Sequence, residues 1–395
     1  MLGPAAVIGV AGAGAMGAGI AQLAAVHGHD VIIADPMPAA IDRARARIDL
    51  AFAREVEKQR LTRAEADAAM ARIISIPGGG DAQLAAFARC DLVIEAIIED
   101  LPSKQALFSS LERVTRPDTV LATNTSSLSV AAIGAACAHA GRVVGMHFFN
   151  PAPVMPLVEI VPAITTDPAV TRAARDLIDG WRKTTVLAAD TPGFIVNRIA
   201  RPFYGESLRL LEEGVADCAT IDWAMRSVGG FKMGPFELMD FIGNDINYAV
   251  TVSVFEAMYF DPRYRPALTQ RRLVEAGLLG RKAKRGYYDY RDGAAMPAPL
   301  DDRALGQRIV DRVVAMLVNE AVEAMHLRVA NAADIELAMT KGVNYPRGLL
   351  AWGDEIGAPT ILERLEALQA EYGEERYRPS PLLRRLVRDG RSLRP

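Results

Sequence analysis

The sequence predicts an α/β N-terminal part, built on a doubly wound parallel sheet, followed by two all-helical parts. Short apolar runs alternate with helical periods over the first half of the chain, which is typical of successive β-α-β units. From Phe194 onward the pattern is helical and contains no convincing strand. The helical pattern also occurs twice. A chain of 395 residues has room for two or three domains, in agreement with this division.

A glycine-rich turn follows the first apolar run, residues 5–11, and precedes a small-residue helix over 18–26. The turn reads Gly12-Ala13-Gly14-Ala15-Met16-Gly17, which is the G-x-G-x-x-G spacing of a dinucleotide-binding turn. The first glycine permits the tight turn, the second lets the backbone approach a pyrophosphate, and the third allows close packing of helix and strand. The position between strand and helix makes an incidental glycine cluster a poor explanation.

The next apolar run, 31–34, ends in Asp35, about 20 residues after the turn. A carboxylate at this position accepts hydrogen bonds from a ribose 2′-hydroxyl and repels a 2′-phosphate. We therefore expect NAD, not NADP, as the cofactor.

The rest of this part continues the alternation of helices and strands. Helices are predicted over 38–60, 103–114 and 168–182, a capping box at Thr62 opens another, and strands are predicted over 91–98, 119–122, 143–149, 157–161 and 184–187. Ligands of such sheets lie outside the carboxyl ends of the strands. Glu99, the polar turn 124–127 and His147 all fall at those ends.

Two strand-like runs, 143–149 and 157–161, each carry one titratable residue, His147 and Glu159. A carboxylate inside a packed sheet is costly unless it has a partner. A strand, a turn and a second strand would bring the two side chains together as a histidine base oriented by a buried glutamate. From these residues alone, two polar side chains at strand ends that face water are the slightly favoured interpretation.

The helical part is duplicated. Ile195-Val196-Asn197-Arg198 returns 114 residues later as Ile309-Val310-Asp311-Arg312, and Glu206 returns as Glu320. Such copies usually pack across a pseudo-two-fold face, as an internal pseudo-dimer. Because Asp311 replaces Asn197, we interpret the first copy as functional and the second as mainly structural.

The predicted domains are 1–189, 190–292 and 303–395, with a Pro/Ala/Asp-rich linker between the two helical copies. The first helix of the helical part is expected to start with Thr191 as N-cap and Pro192 at its first position.

Composition excludes several classes of function. A net charge of -3 argues against a nucleic-acid partner. No apolar run reaches the roughly 20 residues of a membrane span, and no signal-peptide pattern occurs, so we expect a cytoplasmic protein without a membrane partner. Cys90, Cys137 and Cys218 lie far apart and read as reduced core thiols. His27 and His29 are expected to face solvent, and no metal site is predicted.

With these residues assembled, the chain resembles the NAD-dependent 3-hydroxyacyl-CoA dehydrogenases. It is most similar to the bacterial type with two helical C-terminal domains, seen in 3-hydroxybutyryl-CoA and phenylacetate-pathway enzymes. The resemblance runs from about Ala5 to the C-terminus and is carried by the motifs G-A-G-A-M-G, N-T-S-S-L, H-F-F-N-P, D-T-P-G-F-I-V-N-R and G-P-F-E-L-M-D. It implies a Rossmann-type domain, two all-α domains of the 6-phosphogluconate-dehydrogenase-like kind, and oxidation of an (S)-3-hydroxyacyl-CoA to the 3-ketoacyl-CoA.

The resemblance also implies roles for individual residues. His147 is the general base and pairs with Glu159, while Ser126 and Asn197 hold the substrate oxygens. The residues implied to contact NAD are Gly12, Ala13, Gly14, Ala15, Met16, Gly17, Asp35, Glu99, Lys104, Ser126, Asn150 and Lys282, and Lys58 is implied to lie near the CoA. Ala51 stands where some members place a CoA-contacting serine, so that contact is not expected.

Plainer interpretations stay open for several of these residues. Ser126 and Glu99 could each cap a helix, and Lys104 and Lys282 could be solvated surface charges. The segment 234–240 is interpreted as packing between the helical copies. As a whole protein, the chain could instead be a dehydrogenase for another small hydroxy acid, or a non-catalytic NAD-binding protein. The sequence leaves a homo-oligomer open.

Overall fold

The computed structural model describes residues 2–3 and 5–394, and the chain divides into two compact units between Thr191 and Pro192. We call residues 1–191 the first unit and 192–395 the second unit. The predicted division into 1–189, 190–292 and 303–395 stays a prediction. Within the described residues, no helix combines the length and the apolar composition that a membrane span requires.

The first unit is built on one eight-stranded sheet, in the order β3-β2-β1-β4-β5-β6-β7-β8. Its strands are β1 (Ile8–Ala11), β2 (Val31–Asp35), β3 (Ile73–Pro77), β4 (Leu92–Glu95), β5 (Val120–Thr123), β6 (Val143–Phe148), β7 (Leu157–Pro162) and β8 (Thr184–Leu187). The first six strands are parallel, β7 runs antiparallel to β6, and β8 runs parallel to β7. The carboxyl ends of six strands therefore meet at one edge, as expected for the predicted doubly wound sheet.

The strands of the first unit are connected mainly by helices. These are α1 (Ala15–Val26), α2 (Pro38–Glu57), α3 (Arg63–Ala71), α4 (Asp81–Ala85), α5 (Leu101–Val114), α6 (Val130–Gly134) and α7 (Pro168–Gly180). The capping box at Thr62 is confirmed, because its side chain accepts from the Glu65 backbone N–H while the Glu65 carboxylate accepts from the Thr62 N–H. The strand β3 was not predicted.

The second unit is helical. Its helices are α8 (Val196–Ile199), α9 (Arg201–Glu212), α10 (Cys218–Trp223), α11 (Pro235–Ile242), α12 (Asn244–Ala257), α13 (Leu268–Glu275), α14 (Arg303–His326), α15 (Ala332–Leu337), α16 (Leu349–Ile356), α17 (Ala358–Tyr372) and α18 (Pro381–Arg388). Among the described residues of this unit only isolated β-bridges occur, around Arg285.

The predicted start of the helical part is wrong. The helix α8 begins at Val196, not at Pro192, and Thr191 caps no helix. Gly193 and Phe194 have φ of +75° and +48°, which a right-handed helix cannot contain. The acidic residue before this turn, Asp190, instead accepts hydrogen bonds at the start of α6.

The prediction that His29 faces solvent is also wrong. Its side chain is buried, with Nδ1 2.9 Å from the carbonyl oxygen of Ala6 and the ring 5.6 Å from that of Trp181. The aromatic ring packs at the base of β1, where a polar nitrogen can still reach a backbone acceptor.

The two helical copies pair reciprocally through the residues that repeat. Arg198 Nε lies 2.7 Å from Glu320 Oε1, and its counterpart Arg312 Nε lies 2.6 Å from Glu206 Oε1. Both glutamates are buried, and each also accepts from a repeated tyrosine hydroxyl, Tyr264 for Glu320 and Tyr377 for Glu206. Reciprocal pairing of equivalent residues is the signature of a pseudo-two-fold face.

The segment 234–240 packs within the first copy, so the interpretation as packing between copies is wrong. The buried Asp240 carboxylate accepts from the backbone N–H groups of Tyr287 and Tyr288, at 3.0 Å each. Asp222, near the end of α10, accepts from the backbone N–H groups of Phe236 and Glu237 at the start of α11. A carboxylate buried among backbone donors is satisfied without a cation.

Candidate active site

A histidine–glutamate pair lies on two adjacent strands of the first unit. His147 on β6 and Glu159 on β7 are directly opposite in the antiparallel register, and His147 Nδ1 is 2.6 Å from Glu159 Oε2. His147 is 5% exposed and Glu159 is fully buried. The interpretation of these residues as solvent-facing is thereby excluded, and the predicted contact is confirmed.

The contact determines which nitrogen of the imidazole carries the proton. A carboxylate can only accept, so the neutral ring is held with its hydrogen on Nδ1 and its lone pair on Nε2. If the ring gains a second proton, the buried carboxylate stabilises the imidazolium. His147 is therefore arranged to accept a proton at Nε2 near the carboxyl end of β6.

The glycine-rich turn has the geometry of a phosphate-binding turn. Gly12 has φ of +109°, and a Cβ on Gly17 would lie 1.9 Å from the Gly12 carbonyl oxygen, so the strand β1 and the helix α1 approach too closely for a side chain. A Cβ on Gly14 would meet nothing within 4 Å. No side chain caps α1, so its first N–H groups suit an anion such as a pyrophosphate.

Asp35 stands at the carboxyl end of β2, beside this turn. Its Oδ2 accepts from the Ala13 N–H at 2.8 Å and its Oδ1 from the Met37 N–H at 2.9 Å. The carboxylate is thus fixed against the turn and presents negative charge where a ribose is bound in such folds. These features fit NAD.

Glu99 organises the polar turn after β5. Its Oε1 accepts from the side-chain hydroxyl of Thr125 at 2.7 Å and from the backbone N–H groups of Ser126 and Ser127 at 2.8 and 3.1 Å. Burial alone would raise the pKa of Glu99, but Lys104 and these donors lower it overall, so the group stays ionised. Glu99 therefore does not cap the following helix, a role that Asp100 fills. Nor does Ser126 cap α6, because Ser129 does so.

Lys104 is not a solvated surface charge. Its side chain is 1% exposed, and Nζ lies 2.6 Å from Glu95 Oε1 and 3.3 Å from Glu99 Oε2. Glu95 is fully buried at the end of β4 and also accepts from the Thr123 hydroxyl at 2.7 Å. Sequence reasoning missed Glu95, although a charged residue inside the apolar run 91–98 requires a partner and would have indicated one.

Two asparagines flank the histidine. Asn124, which was predicted only as part of a polar turn, accepts from the Phe148 N–H at 2.9 Å and so joins the ends of β5 and β6. Asn150 is exposed just beyond β6. Both lie at the edge of the sheet where the other predicted residues of this unit collect.

Three predicted residues are not brought into this cluster by contacts within the first unit. Lys58 is exposed at the end of α2. Asn197 and Lys282 belong to the second unit, where Asn197 is the second residue of α8 and Lys282 pairs with Asp245 at 2.6 Å. Their functional roles stay predictions.

In the part of the chain that the structure describes, no three His, Cys, Asp or Glu side chains are grouped to hold a metal ion. The three cysteines are free thiols, and burial raises the pKa of Cys90 to about 12.

Comparison with known proteins agrees with this geometry. Residues 7–191 match the family model for the NAD binding domain of 3-hydroxyacyl-CoA dehydrogenase, and the C-terminal domain model of that family matches twice, at 193–290 and 309–395. The chain is 39% identical to 3-hydroxyadipyl-CoA dehydrogenase of Escherichia coli K12, over 95% of this chain and 96% of that protein. It is also 39% identical to 3-hydroxybutyryl-CoA dehydrogenase of Bradyrhizobium diazoefficiens, over 73% of this chain and 97% of that protein.

A solved structure is similar over almost the whole chain. The crystal structure of 3-hydroxybutyryl-CoA dehydrogenase from Escherichia coli K12 superposes with a TM-score of 0.91 and is 38% identical, covering 98% of this chain and 99% of that one.

Proposed function

The chain belongs to the 3-hydroxyacyl-CoA dehydrogenase family, and from that premise we propose how its own residues perform the reaction. It is an NAD-dependent oxidoreductase that converts a 3-hydroxyacyl-CoA to the 3-ketoacyl-CoA. Membership of this family supersedes the two other functions that the sequence left open. The single observation that supports the proposed residue roles is the buried contact of 2.6 Å between His147 and Glu159.

The proton of the substrate hydroxyl passes to Nε2 of His147. A base of this kind contributes about 10²–10⁴-fold to the rate. Glu159 holds the ring in the tautomer that can accept, and it stabilises the imidazolium once the proton has arrived. The nicotinamide of bound NAD supplies the acceptor for the hydride that leaves the hydroxyl-bearing carbon of the substrate.

Ser126 and Asn197 are proposed to bind the substrate oxygens, as the family resemblance implies. Support for Ser126 comes from the loop that carries it, because Glu99 fixes the Ser126 backbone and also lies 3.2 Å from its hydroxyl. In the structure this hydroxyl donates its one proton to Glu99, so it must turn from that carboxylate to the substrate oxygen, where it would align the reacting alcohol and stabilise the carbonyl that develops.

The glycine-rich turn, Asp35, Glu99 and Asn150 are proposed to bind NAD, with Lys104 acting through Glu99. Lys282 is proposed to contact NAD, and Lys58 is proposed to contact the CoA. Both proposals rest on the family resemblance. The acyl-CoA is the proposed partner, and oligomeric state stays a prediction. The relatives bear the names of different acyl chains, so the preferred chain end requires a separate argument.

The proposed roles are tested by following NADH absorbance with a panel of 3-hydroxyacyl-CoA thioesters. His147→Gln should lower kcat by about 10²–10⁴-fold. Glu159→Gln should lower it by at least about 10-fold, because an amide cannot stabilise the imidazolium. NAD affinity should be retained in both variants.

His139→Gln is the matched control, since His139 is exposed and lies on a short turn away from the pair. It should leave the rate unchanged. A rate in His147→Gln equal to that of the wild type would refute the assignment of the base.

A further inference from the structure

Arg201, the first residue of α9, is a buried cation without a carboxylate partner. It is 6% exposed. Its Nε donates to the backbone oxygen of Asn197 at 2.8 Å and its Nη1 to the hydroxyl of Thr251 at 3.0 Å, and the guanidinium lies 5.0 Å from the centre of the Tyr204 ring. Within the described residues of the second unit, no Asp or Glu forms an ion pair with it.

The other buried arginines of this unit are all neutralised. Arg198 pairs with Glu320 at 2.7 Å, Arg376 with Glu206 at 3.1 Å, and Arg263 with Asp261 at 2.6 Å. A buried charge without a partner costs several kcal/mol, so an arginine is retained in such a place only when something offsets that cost. Arg201 is the exception among these side chains.

A second buried polar group near Arg201 also lacks a partner. The hydroxyl of Tyr345 is buried and has no hydrogen-bond partner among the described residues. Tyr345 lies beside the start of α9, since its ring centre is 5.7 Å from that of Phe203, two residues after Arg201. Burial lowers the pKa of Arg201. An unpaired donor beside an unpaired cation is a setting that suits an anion.

The duplication shows that the fold does not require this arginine. The equivalent position of the second copy, 114 residues later, is Ala315. Conversely, Tyr345 belongs to the second copy, and the first copy has Phe231 in its place. The polar cluster therefore combines one residue that is peculiar to each copy.

Arg201 is also next to a residue that the proposed function assigns to the substrate. Asn197 is in α8 and Arg201 begins α9, but Ala200 between them keeps right-handed helical dihedral angles, so the helical spacing of about 5–6 Å at Cβ applies. The Arg201 side chain bends back to donate to the carbonyl of Asn197. In a 3-hydroxyacyl chain of six carbons, three C–C bonds of about 1.5 Å separate the hydroxyl-bearing carbon from the chain end, an extended span of about 4 Å. The chain end therefore reaches about 4 Å, less than the separation of about 5–6 Å between the two Cβ atoms, and the Arg201 side chain, which bends back towards Asn197, covers the difference.

We propose that Arg201 and Tyr345 bind the ω-carboxylate of a dicarboxylic 3-hydroxyacyl-CoA. Arg201 supplies a guanidinium whose geometry suits a carboxylate, and Tyr345 donates its hydroxyl to the same group. The inference rests on the proposed function, because Asn197 must bind the substrate for the chain end to reach Arg201. It also gives the second helical copy a part in specificity, beyond the mainly structural role expected from its sequence.

The test compares two thioesters of equal length, 3-hydroxyadipyl-CoA and 3-hydroxyhexanoyl-CoA, which differ in the carboxylate. The wild type should prefer the adipyl substrate by at least about 100-fold in kcat/KM, since a site built for a polar group rejects the analogue that lacks it. Arg201→Met should lose most of that preference, because kcat/KM falls for the adipyl substrate and not for the hexanoyl substrate. Tyr345→Phe should reduce the preference by about 10-fold.

Arg209→Met is the matched control, because Arg209 lies two turns later on α9 and is neutralised by Glu213 and Glu374. It should leave the ratio of the two substrates unchanged. Tyr345→Phe decides the question if Arg201→Met does not fold, since it removes a single oxygen.

The outcomes distinguish failure of the ω-carboxylate site from failure of the proposed function. Activity on both thioesters without a preference in the wild type overturns the ω-carboxylate site and leaves the proposed function standing. Equal losses on both substrates in the variants also overturn it, since they indicate a structural role or a contact with the CoA phosphates. Absence of activity on both thioesters refutes the proposed function, and this inference with it.

Discussion

At the scale of single residues, the Lys104 ammonium group joins the buried end of β4 to the loop that carries Ser126. It pairs with Glu95 on one side and with Glu99 on the other. Glu99 in turn holds the backbone of the loop 125–127. Because the three groups depend on one another, removal of the central charge should disturb the loop and not only the lysine.

Lys104→Met should weaken NAD binding and move its acid limit to higher pH. The pKa of Glu99 in the folded protein is lowered. The contribution of the ionised carboxylate to the order of the loop 125–127 is therefore present above about pH 4.5 and is lost as pH falls through the lowered value. Without the lysine charge, only the hydrogen bonds of the loop 125–127 oppose burial, so the pKa of Glu99 is higher than in the wild type and the loss begins at a higher pH. The measurement is NAD affinity by fluorescence titration between about pH 4 and 8.

Lys341→Met, which removes an exposed lysine of the second unit, serves as the control and should keep the wild-type profile. If Lys104→Met shows weaker binding with an unchanged pH profile, Glu99 is not the group through which the lysine acts.

The residue-scale predictions succeeded where a chemical requirement was visible in the chain. A carboxylate and an imidazole in neighbouring apolar runs indicated the pair of His147 and Glu159, which the strand register then joined. Lys104 was misread as a possible surface charge although Glu95 and Glu99 precede it closely in sequence, because the turn between β4 and α5 that brings the three side chains together is not visible in the residue pattern. The counter-charge for a buried lysine depends on tertiary packing, which spacing along the chain does not reveal.

At the scale of elements, the contact between β1 and α1 depends on Gly17. A Cβ there would lie 1.9 Å from a backbone oxygen, which cannot rotate away, so Gly17→Ala must displace the helix. We expect a destabilisation of about 1–3 kcal/mol and at least about 10-fold weaker NAD binding. Urea unfolding and NAD titration measure the two effects.

Gly14→Ala separates these effects, because a Cβ at this position meets nothing within 4 Å. It should keep the stability of the wild type while weakening NAD binding, since the added methyl group occupies the approach of the pyrophosphate. Equal stability of the two variants would contradict the close contact assigned to Gly17.

The elements themselves were predictable to different degrees. Long apolar runs with a clear period gave β1, β6 and β7, and the capping box gave the start of α3. The strand β3 was missed because Ile73–Pro77 is only partly buried and ends in proline, so its pattern is weak. The start of α8 was misplaced because a Thr-Pro pair suits a helix start as well as the turn at Gly193 and Phe194.

At the scale of the whole chain, the duplication was visible in sequence, but the role of its repeated charges was not. The register of the repeat identified Arg198 with Arg312 and Glu206 with Glu320. Only the folded second unit shows that each arginine pairs with the glutamate of the other copy. A repeat read along one chain cannot distinguish pairing within a copy from pairing between copies, because both satisfy the same charges.

This reciprocal network leads to a prediction for stability. Glu320→Gln leaves Arg198 buried without its carboxylate, and Glu206→Gln does the same to Arg312, so each should destabilise the second unit by about 3–5 kcal/mol. The pseudo-symmetry predicts similar effects for the two variants. The measurement is the urea midpoint by circular dichroism, at an unchanged slope.

Glu275→Gln is the control for loss of an exposed ion pair, since Glu275 and Arg271 are both largely exposed, and it should leave the midpoint unchanged. Replacing the whole pair, as Arg198→Met with Glu320→Leu, should cost less than Glu320→Gln alone, because no unpaired charge is then left buried. If the double variant is instead less stable than Glu320→Gln, the attraction between the paired charges itself stabilises the second unit. The cost of leaving one arginine buried and unpaired would then not explain the destabilisation.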